Sequence, residues 1–105
     1  MNNNNFGIYN KSFSQIIKEL HNYPEIKKAV IFGSRAMGNY KKGSDIDIAV
    51  FGKNLDRDII IKLHRELNEE VLTPYFIDII HYETTENEEL KKHIFTVGKI
   101  IYENN

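Results

Sequence analysis

Three aspartates stand in apolar stretches of the kind that form buried strands. Asp45 and Asp47 flank Ile46 in the run "DIDIAVF", and Asp78 lies inside "YFIDIIHY". Side chains alternate between the two faces of a strand, so Asp45 and Asp47 are predicted to point the same way, about 6.5–7 Å apart at ~3.3 Å per residue. If the two strands are neighbours, the three carboxylates converge on one patch.

Carboxylates packed together repel one another, and burial adds a desolvation cost. A divalent cation that prefers oxygen ligands offsets both, and Mg²⁺ commonly shares its coordination shell with substrate phosphates. Two such ions about 3.5–4 Å apart support phosphoryl or nucleotidyl transfer. For the D-x-D pattern alone, a structural role without metal or catalysis is the favoured interpretation. In it Asp45 is a turn residue, Asp47 an edge-strand acid, and Asp78 the partner of a lysine.

A Gly-Ser turn follows the buried run that precedes the aspartates. Gly33 and Ser34 stand where "KAVIF" gives way to a predicted helix start. Glycine lets backbone N–H groups approach an anion, serine adds a hydroxyl, and a helix N-terminus favours phosphate. A plain turn is the commoner explanation for such a pair taken alone, and the chain contains no Walker P-loop.

The hydrophobic periodicity predicts the elements that hold these residues. Ser12-x-x-Gln15 resembles a capping box and opens an amphipathic helix that ends near Pro24. Strands are expected at residues 29–32, 45–51 and 75–82, with a second long helix before Pro74. Thr85-x-x-Glu88 is a second predicted capping box, Gly98 is expected to end that helix, and "KIIYE" is a candidate for a last short strand.

This order of elements predicts an α/β (α+β) domain, in which helices pack against a short mixed β-sheet. Residues 1–11 are predicted to be a flexible segment, and residues 12–105 to be the single folded domain.

Composition excludes several classes of function. The chain has 105 residues, a formal net charge of -1 and no cysteine, which argues against a basic nucleic-acid-binding field, disulfides and Cys-based zinc sites. Its four histidines lack zinc-ligand spacing; they are His21, His64, His81 and His93. Without a signal-like N-terminus or an apolar run of membrane length, the expected location is the cytoplasm, with neither membrane nor nucleic acid as a direct partner.

Taken together, the motifs are far more specific than any one of them. Gly33-Ser34, ten residues, Asp45-Ile46-Asp47 and then Asp78 on a later strand resemble the polymerase-β-type nucleotidyltransferase superfamily. The run "KAVIFGSRAMGNYKKGSDIDIAV" is similar to its minimal nucleotidyltransferase (MNT) branch, whose members carry G-S-R-A-x-G followed by S-D-I-D-L. The close resemblance covers residues 29–80 and implies a polymerase-β-like nucleotidyltransferase fold.

The resemblance implies a role for each matching residue. Asp45 and Asp47 would bind two Mg²⁺ ions that hold the triphosphate of ATP. Asp78 would bind the catalytic ion and help to activate the attacking hydroxyl. Gly33 and Ser34 would cradle the β- and γ-phosphates.

Arg35 is left with two alternatives: it adds positive charge to the phosphates, or it pairs with Asp56 or Asp58 as a surface cation. The family often has a second arginine where this chain has Met37. That difference leaves one phosphate or partner contact open.

The resemblance also implies a partner. Small MNT proteins are often antitoxins of HEPN-domain ribonuclease toxins and can attach AMP to a toxin tyrosine. The expected function is therefore Mg²⁺-dependent adenylylation of a HEPN toxin. The alternatives are an antitoxin that neutralises its toxin by contact alone, and a nucleotidyltransferase acting on a small hydroxylated molecule such as an aminoglycoside.

Overall fold

The computed structural model describes residues 6–71 and 73–104. In chain order the elements are α1 (Asn10–His21), β1 (Lys28–Phe32), α2 (Gly33–Met37), β2 (Ile46–Phe51), α3 (Arg57–Arg65), a π-helical turn (Glu66–Glu70), β3 (Ile77–His81), a 3₁₀ turn (Tyr82–Thr84), α4 (Glu88–Val97) and β4 (Lys99–Glu103).

The four strands form one mixed sheet in the order β3-β2-β1-β4. β1 is antiparallel to both β2 and β4, whereas β2 and β3 run parallel. The predicted α+β architecture with a short mixed sheet is confirmed, and so is the final strand. The parallel pair matters most for the site, because it brings the two aspartate-bearing strands side by side.

Alternation along the strands divides the apolar side chains between the two faces of the sheet. Ile46, Ile48 and Val50 of β2 join the main core, which also contains Ile16 and Leu20 of α1. The other face carries a smaller cluster that packs against α4: Val30, Phe32, Ala49 and Ile94. Asp47 alternates with the core-facing isoleucines, so its side chain lies on the α4 side of the sheet.

The beginning of the domain differs from the prediction. Residues 1–5 lie outside the described residues, so the expected flexibility is untested there. Ile8 is buried in the main core, and α1 already begins at Asn10. The Ser12 capping box is wrong, because Ser12 is itself buried on the inner face of α1 and Tyr9 occupies the N-cap position.

The second predicted capping box is wrong by two residues. Asn87, not Thr85, caps α4, and its side-chain oxygen accepts a hydrogen bond from the Leu90 N–H at 3.0 Å. Gly98 does end the helix as predicted, with its N–H donating to the Ile94 carbonyl at 2.9 Å. These contacts fix the helix that covers the aspartate-bearing face of the sheet. Among the described residues, no helix has the length and apolar character needed to cross a membrane.

Candidate active site

The site is built around the point where β1 turns into α2. Gly33 has φ +74°, a left-handed conformation that side chains disfavour, and it is the first residue of α2. A Cβ at Gly33 would lie 2.4 Å from Oδ2 of Asp47. The turn and the Asp47 carboxylate are therefore in direct contact, and both the backbone angle and the available space require glycine.

Two of the three predicted aspartates lie side by side across the parallel strands. Asp47 of β2 and Asp78 of β3 are register partners, and the strands of a sheet lie about 4.8 Å apart. Asp47 is half-buried, while Asp78 is exposed at the edge of the sheet. This pairing matches the expectation that the two acidic strands are neighbours and present their carboxylates on one face.

Asp45 stands one residue before β2 and is exposed. The predicted strand began at this residue, whereas the observed strand begins at Ile46. Asp45 still lies close enough to act on Asp47 electrostatically: burial raises the pKa of Asp47, and the Asp78 and Asp45 carboxylates raise it further. The three acids therefore form one interacting group, and Asp47 carries the cost of their repulsion.

Arg35 is placed quite differently from the sequence expectation. Its side chain is 2% exposed, and its guanidinium donates to the Ser44 carbonyl at 2.8 Å and to the Phe6 carbonyl at 3.0 Å. The rings of Tyr40 and Tyr75 lie 5.0 and 4.9 Å from the guanidinium carbon. The Arg35 guanidinium, which was expected to contact either phosphate or a surface carboxylate, is thus surrounded by backbone carbonyls and aromatic rings.

The position of Arg35 links two parts of the site. It follows Ser34 in α2, and its two bonds to Ser44, at 2.8 and 3.2 Å, hold the residue directly before Asp45. The guanidinium fixes the loop that presents Asp45, and this is a structural role. The contacts that the structure gives the guanidinium are with backbone carbonyls and aromatic rings, not with Asp56 or Asp58.

His93 of α4 reaches the same site, although no sequence motif predicted it. Its Nε2 accepts the Gly33 N–H at 3.1 Å, and its ring packs edge-on against Phe32 with centroids 6.0 Å apart. Its charge when protonated would lower the pKa of Asp47, opposing the two neighbouring acids. No motif surrounds a single histidine on an amphipathic helix, so only the packing of α4 reveals it.

The donor set suits a hard cation. Carboxylate oxygens are the ligands that Mg²⁺ prefers, and Mg²⁺ usually takes further oxygens from phosphate and water. Within residues 6–71 and 73–104, no three His, Cys, Asp or Glu side chains are gathered closely enough to hold a metal by themselves.

The family profile described as "Polymerase beta, Nucleotidyltransferase" matches residues 14–105 of the sequence. The chain therefore belongs to the polymerase-β nucleotidyltransferase family, in agreement with the resemblance found in the sequence. A comparison with curated proteins finds no significant match.

Several solved structures share the fold. A toxin–antitoxin structure with AMP-PNP is 26% identical with a TM-score of 0.72, over 89% of this chain and 74% of that chain. A variant of the MntA-HpeT toxin–antitoxin is 28% identical with a TM-score of 0.69, over 88% and 72% of the two chains. A chain from the structure of a tri-AMPylated Shewanella oneidensis HEPN toxin in complex with MNT antitoxin is 24% identical with a TM-score of 0.66, over 89% of this chain and 71% of that chain. The polymerase-β-like fold is thus confirmed.

Proposed function

We propose that this protein is an antitoxin that transfers AMP from ATP to a hydroxyl, with a tyrosine as the expected acceptor, on a partner HEPN toxin. The observation that carries the proposal is the pairing of Asp47 with Asp78 beside the Gly33 turn. The family supplies the nucleotidyltransferase chemistry. Structures of the same fold include a toxin–antitoxin with AMP-PNP and an AMPylated HEPN toxin bound to its antitoxin.

The proposed roles follow from the positions of the residues. Asp45 and Asp47 would hold Mg²⁺ together with the triphosphate, and Asp78 would share the catalytic ion. Two Mg²⁺ ions, when bound, would supply the positive charge that neutralises the departing pyrophosphate. Gly33 and Ser34 would hold phosphate oxygens at the turn from β1 into α2, where the Gly33 N–H would exchange its bond to His93 Nε2 for one to a phosphate oxygen.

The exposed position of Asp78 suits the step that involves the acceptor. Its carboxylate would take a hydrogen bond from the acceptor hydroxyl and draw its proton as the oxygen attacks the α-phosphorus. A bond forms between the acceptor oxygen and the α-phosphorus, and the bond from the α-phosphorus to the bridging oxygen of pyrophosphate breaks. Positioning and electrostatics would supply most of the rate enhancement.

Arg35 has a positioning role in this proposal instead of a phosphate contact. Its guanidinium is enclosed by the Ser44 and Phe6 carbonyls, so phosphate binding would require breaking these bonds. Because Ser44 adjoins Asp45, the arginine would keep the first metal-binding carboxylate in place.

A protein is the proposed acceptor because the acidic patch is open. Asp45 and Asp78 are both exposed, so a large partner can present a hydroxyl at the edge of the sheet. A small hydroxylated acceptor or neutralisation by contact alone would be an alternative outcome of the test below. With ATP as the donor, the proposed site of action is the cytoplasm.

Label transfer from α-labelled ATP tests the proposal. The purified protein would be incubated with Mg²⁺ and a lysate of its own host, beside the Asp47→Asn variant and a matched Asp58→Asn control on exposed α3. We expect one labelled protein band with the unmodified protein and the control, and none with Asp47→Asn. Mass spectrometry of the band would identify the acceptor. Transfer that persists in Asp47→Asn, or that appears in no protein, would contradict the proposal.

A further inference from the structure

The edge strand that carries Asp78 is held by a side chain outside every recognised motif. Asn68 lies in the π-helical turn Glu66–Glu70 that continues α3. Its Oδ1 accepts the Ile77 N–H at 2.8 Å, and its Nδ2 donates to the Ile77 carbonyl at 2.7 Å. Both backbone groups of one strand residue are thus bonded to one side-chain amide.

This arrangement replaces a missing neighbouring strand. β3 is at the edge of the sheet, with β2 on its other side. The N–H and C=O groups of a strand residue point to the same side, and on an edge strand every second pair lacks a partner. The amide of Asn68 satisfies the outward-facing pair of Ile77, the residue directly before Asp78.

The amide itself is fixed in one orientation. Nδ2 also donates to the His64 carbonyl of α3 at 2.9 Å, so one acceptor and both donors of the side chain are engaged. The π-helical turn supplies this geometry: the Val71 N–H bonds to the Glu66 carbonyl five residues back. Such turns are rare and occur often at functional sites.

We propose that Asn68 is a positioning residue for Asp78, acting through the main chain of Ile77. This inference rests on the proposed function for the role of Asp78. Asn68 holds Ile77 from the open side of β3, and pairing with β2 sets Asp78 in register with Asp47 on the other side. β3 therefore cannot shift along β2 without breaking both bonds between Ile77 and Asn68. The Asp78 carboxylate is thereby held at a fixed distance from Asp47.

Two substitutions separate the two bonds. Asn68→Asp is nearly isosteric and can still accept the Ile77 N–H, but it replaces the donor with a charged oxygen facing the Ile77 carbonyl. Asn68→Ala removes both bonds to Ile77 and also the bond to the His64 carbonyl. Asp56→Ala is the matched control: it removes the N-cap of the same helix, where Asp56 accepts the Ile59 N–H at 2.8 Å, without touching β3.

The first readout is the kinetics of AMP transfer. For Asn68→Asp we expect kcat to fall by about 10–100-fold, while KM for ATP changes little because Gly33, Ser34 and Asp47 keep their positions. Asp56→Ala should keep both constants. A kcat no lower than in that control, or a rise in KM with kcat unchanged, would overturn the inference.

Two further readouts need no transfer. In the metal-free protein, hydrogen exchange at the Ile77 amide should become faster in Asn68→Ala and stay slow in Asp56→Ala. With a non-hydrolysable ATP analogue, the affinity for Mn²⁺ at the ion position that Asp78 is proposed to share should fall roughly tenfold in Asn68→Asp. If the unmodified protein transfers no AMP but these two effects appear, the proposed function fails while the role of Asn68 stands. Unchanged exchange and unchanged Mn²⁺ affinity would refute that role.

Discussion

Gly33 and Asp47 are so close that no side chain fits between them. A Cβ at Gly33 would lie 2.4 Å from Oδ2 of Asp47, and the φ of +74° at Gly33 turns the chain into α2 at the same point. The proposed phosphate turn and the proposed metal-binding strand are thus packed directly against each other. A side chain at Gly33 must therefore displace the Asp47 carboxylate.

Gly33→Ala should abolish AMP transfer, with a loss of at least about 100-fold, because the new methyl group displaces the Asp47 carboxylate. Gly38→Ala is the matched control. Gly38 also has a positive φ, +87°, but a Cβ there has no heavy atom within 4 Å.

Both variants should lose about 1–2 kcal/mol of stability from left-handed backbone strain. Only Gly33→Ala should lose transfer. Thermal denaturation and initial transfer rates measure the two effects, and an equal loss of activity in both variants would mean that the contact with Asp47 has no special importance.

Asp47→Asn should stabilise the metal-free fold. Burial, followed by Asp78 and Asp45, raises the pKa of Asp47 above its ordinary value of 3.8 in the folded protein. The ionised carboxylate therefore destabilises the fold at every pH above the raised pKa, and this penalty disappears as the pH falls through that pKa towards 3.8.

The expected gain in Tm for Asp47→Asn is less than about 5 °C, because the carboxylate is partly exposed to solvent. This gain in Tm should be largest near neutral pH and shrink as the solution is acidified. Thermal denaturation in buffer that contains a metal chelator measures it. A gain that is independent of pH, or a lower Tm at neutral pH, would contradict the electrostatic account.

Arg35→Gln should destabilise the protein by about 2–4 kcal/mol, since the charge-assisted bonds of a buried guanidinium to the Ser44 and Phe6 carbonyls are lost. Arg57→Gln, at an exposed position of α3, is the control and should have little effect on stability. Denaturant unfolding measures both. If Arg35 instead bound phosphate, its replacement would raise KM for ATP without this loss of stability.

The hydrogen bond from Gly33 predicts the His93 tautomer that carries its proton on Nδ1. Nε2 accepts the Gly33 N–H at 3.1 Å, so it must lack a proton in the nucleotide-free protein. Long-range ¹H–¹⁵N spectra of the imidazole ring identify the tautomer directly. Adding Mg²⁺ and an ATP analogue should change these signals, because the proposed function gives the Gly33 N–H to a phosphate oxygen. A proton on Nε2 in the free protein would rule out this contact.

The alternation of apolar and acidic residues within the apolar runs was enough to predict which face of the sheet carries Asp47 and Asp78. The Ile-Asp-Ile pattern around Asp47 and Asp78 places the isoleucines in the core and the acids on the other face, as the structure has them. The mixed sheet followed from the order of the elements. These features depend on side-chain burial, which sequence patterns report directly.

The partners of Arg35, His93 and Asn68 were not predictable in the same way. Arg35 and Asn68 bond to backbone carbonyls and N–H groups, which every residue type provides, and His93 meets a backbone N–H from a distant helix. The Ser12 capping box failed because burial of Ser12 inside α1 outweighed a local four-residue pattern. Long-range contacts of this kind become visible only when the elements are packed.

The position of the metal–nucleotide site is the central claim, and paramagnetic broadening by Mn²⁺ tests it most directly. In ¹H–¹⁵N spectra with a non-hydrolysable ATP analogue, substoichiometric Mn²⁺ should broaden the amides of residues 33–34, 45–47 and 78, and Asp47→Asn should abolish this effect. Broadening centred on amides elsewhere in the chain, or broadening that is unchanged in Asp47→Asn, would contradict the account.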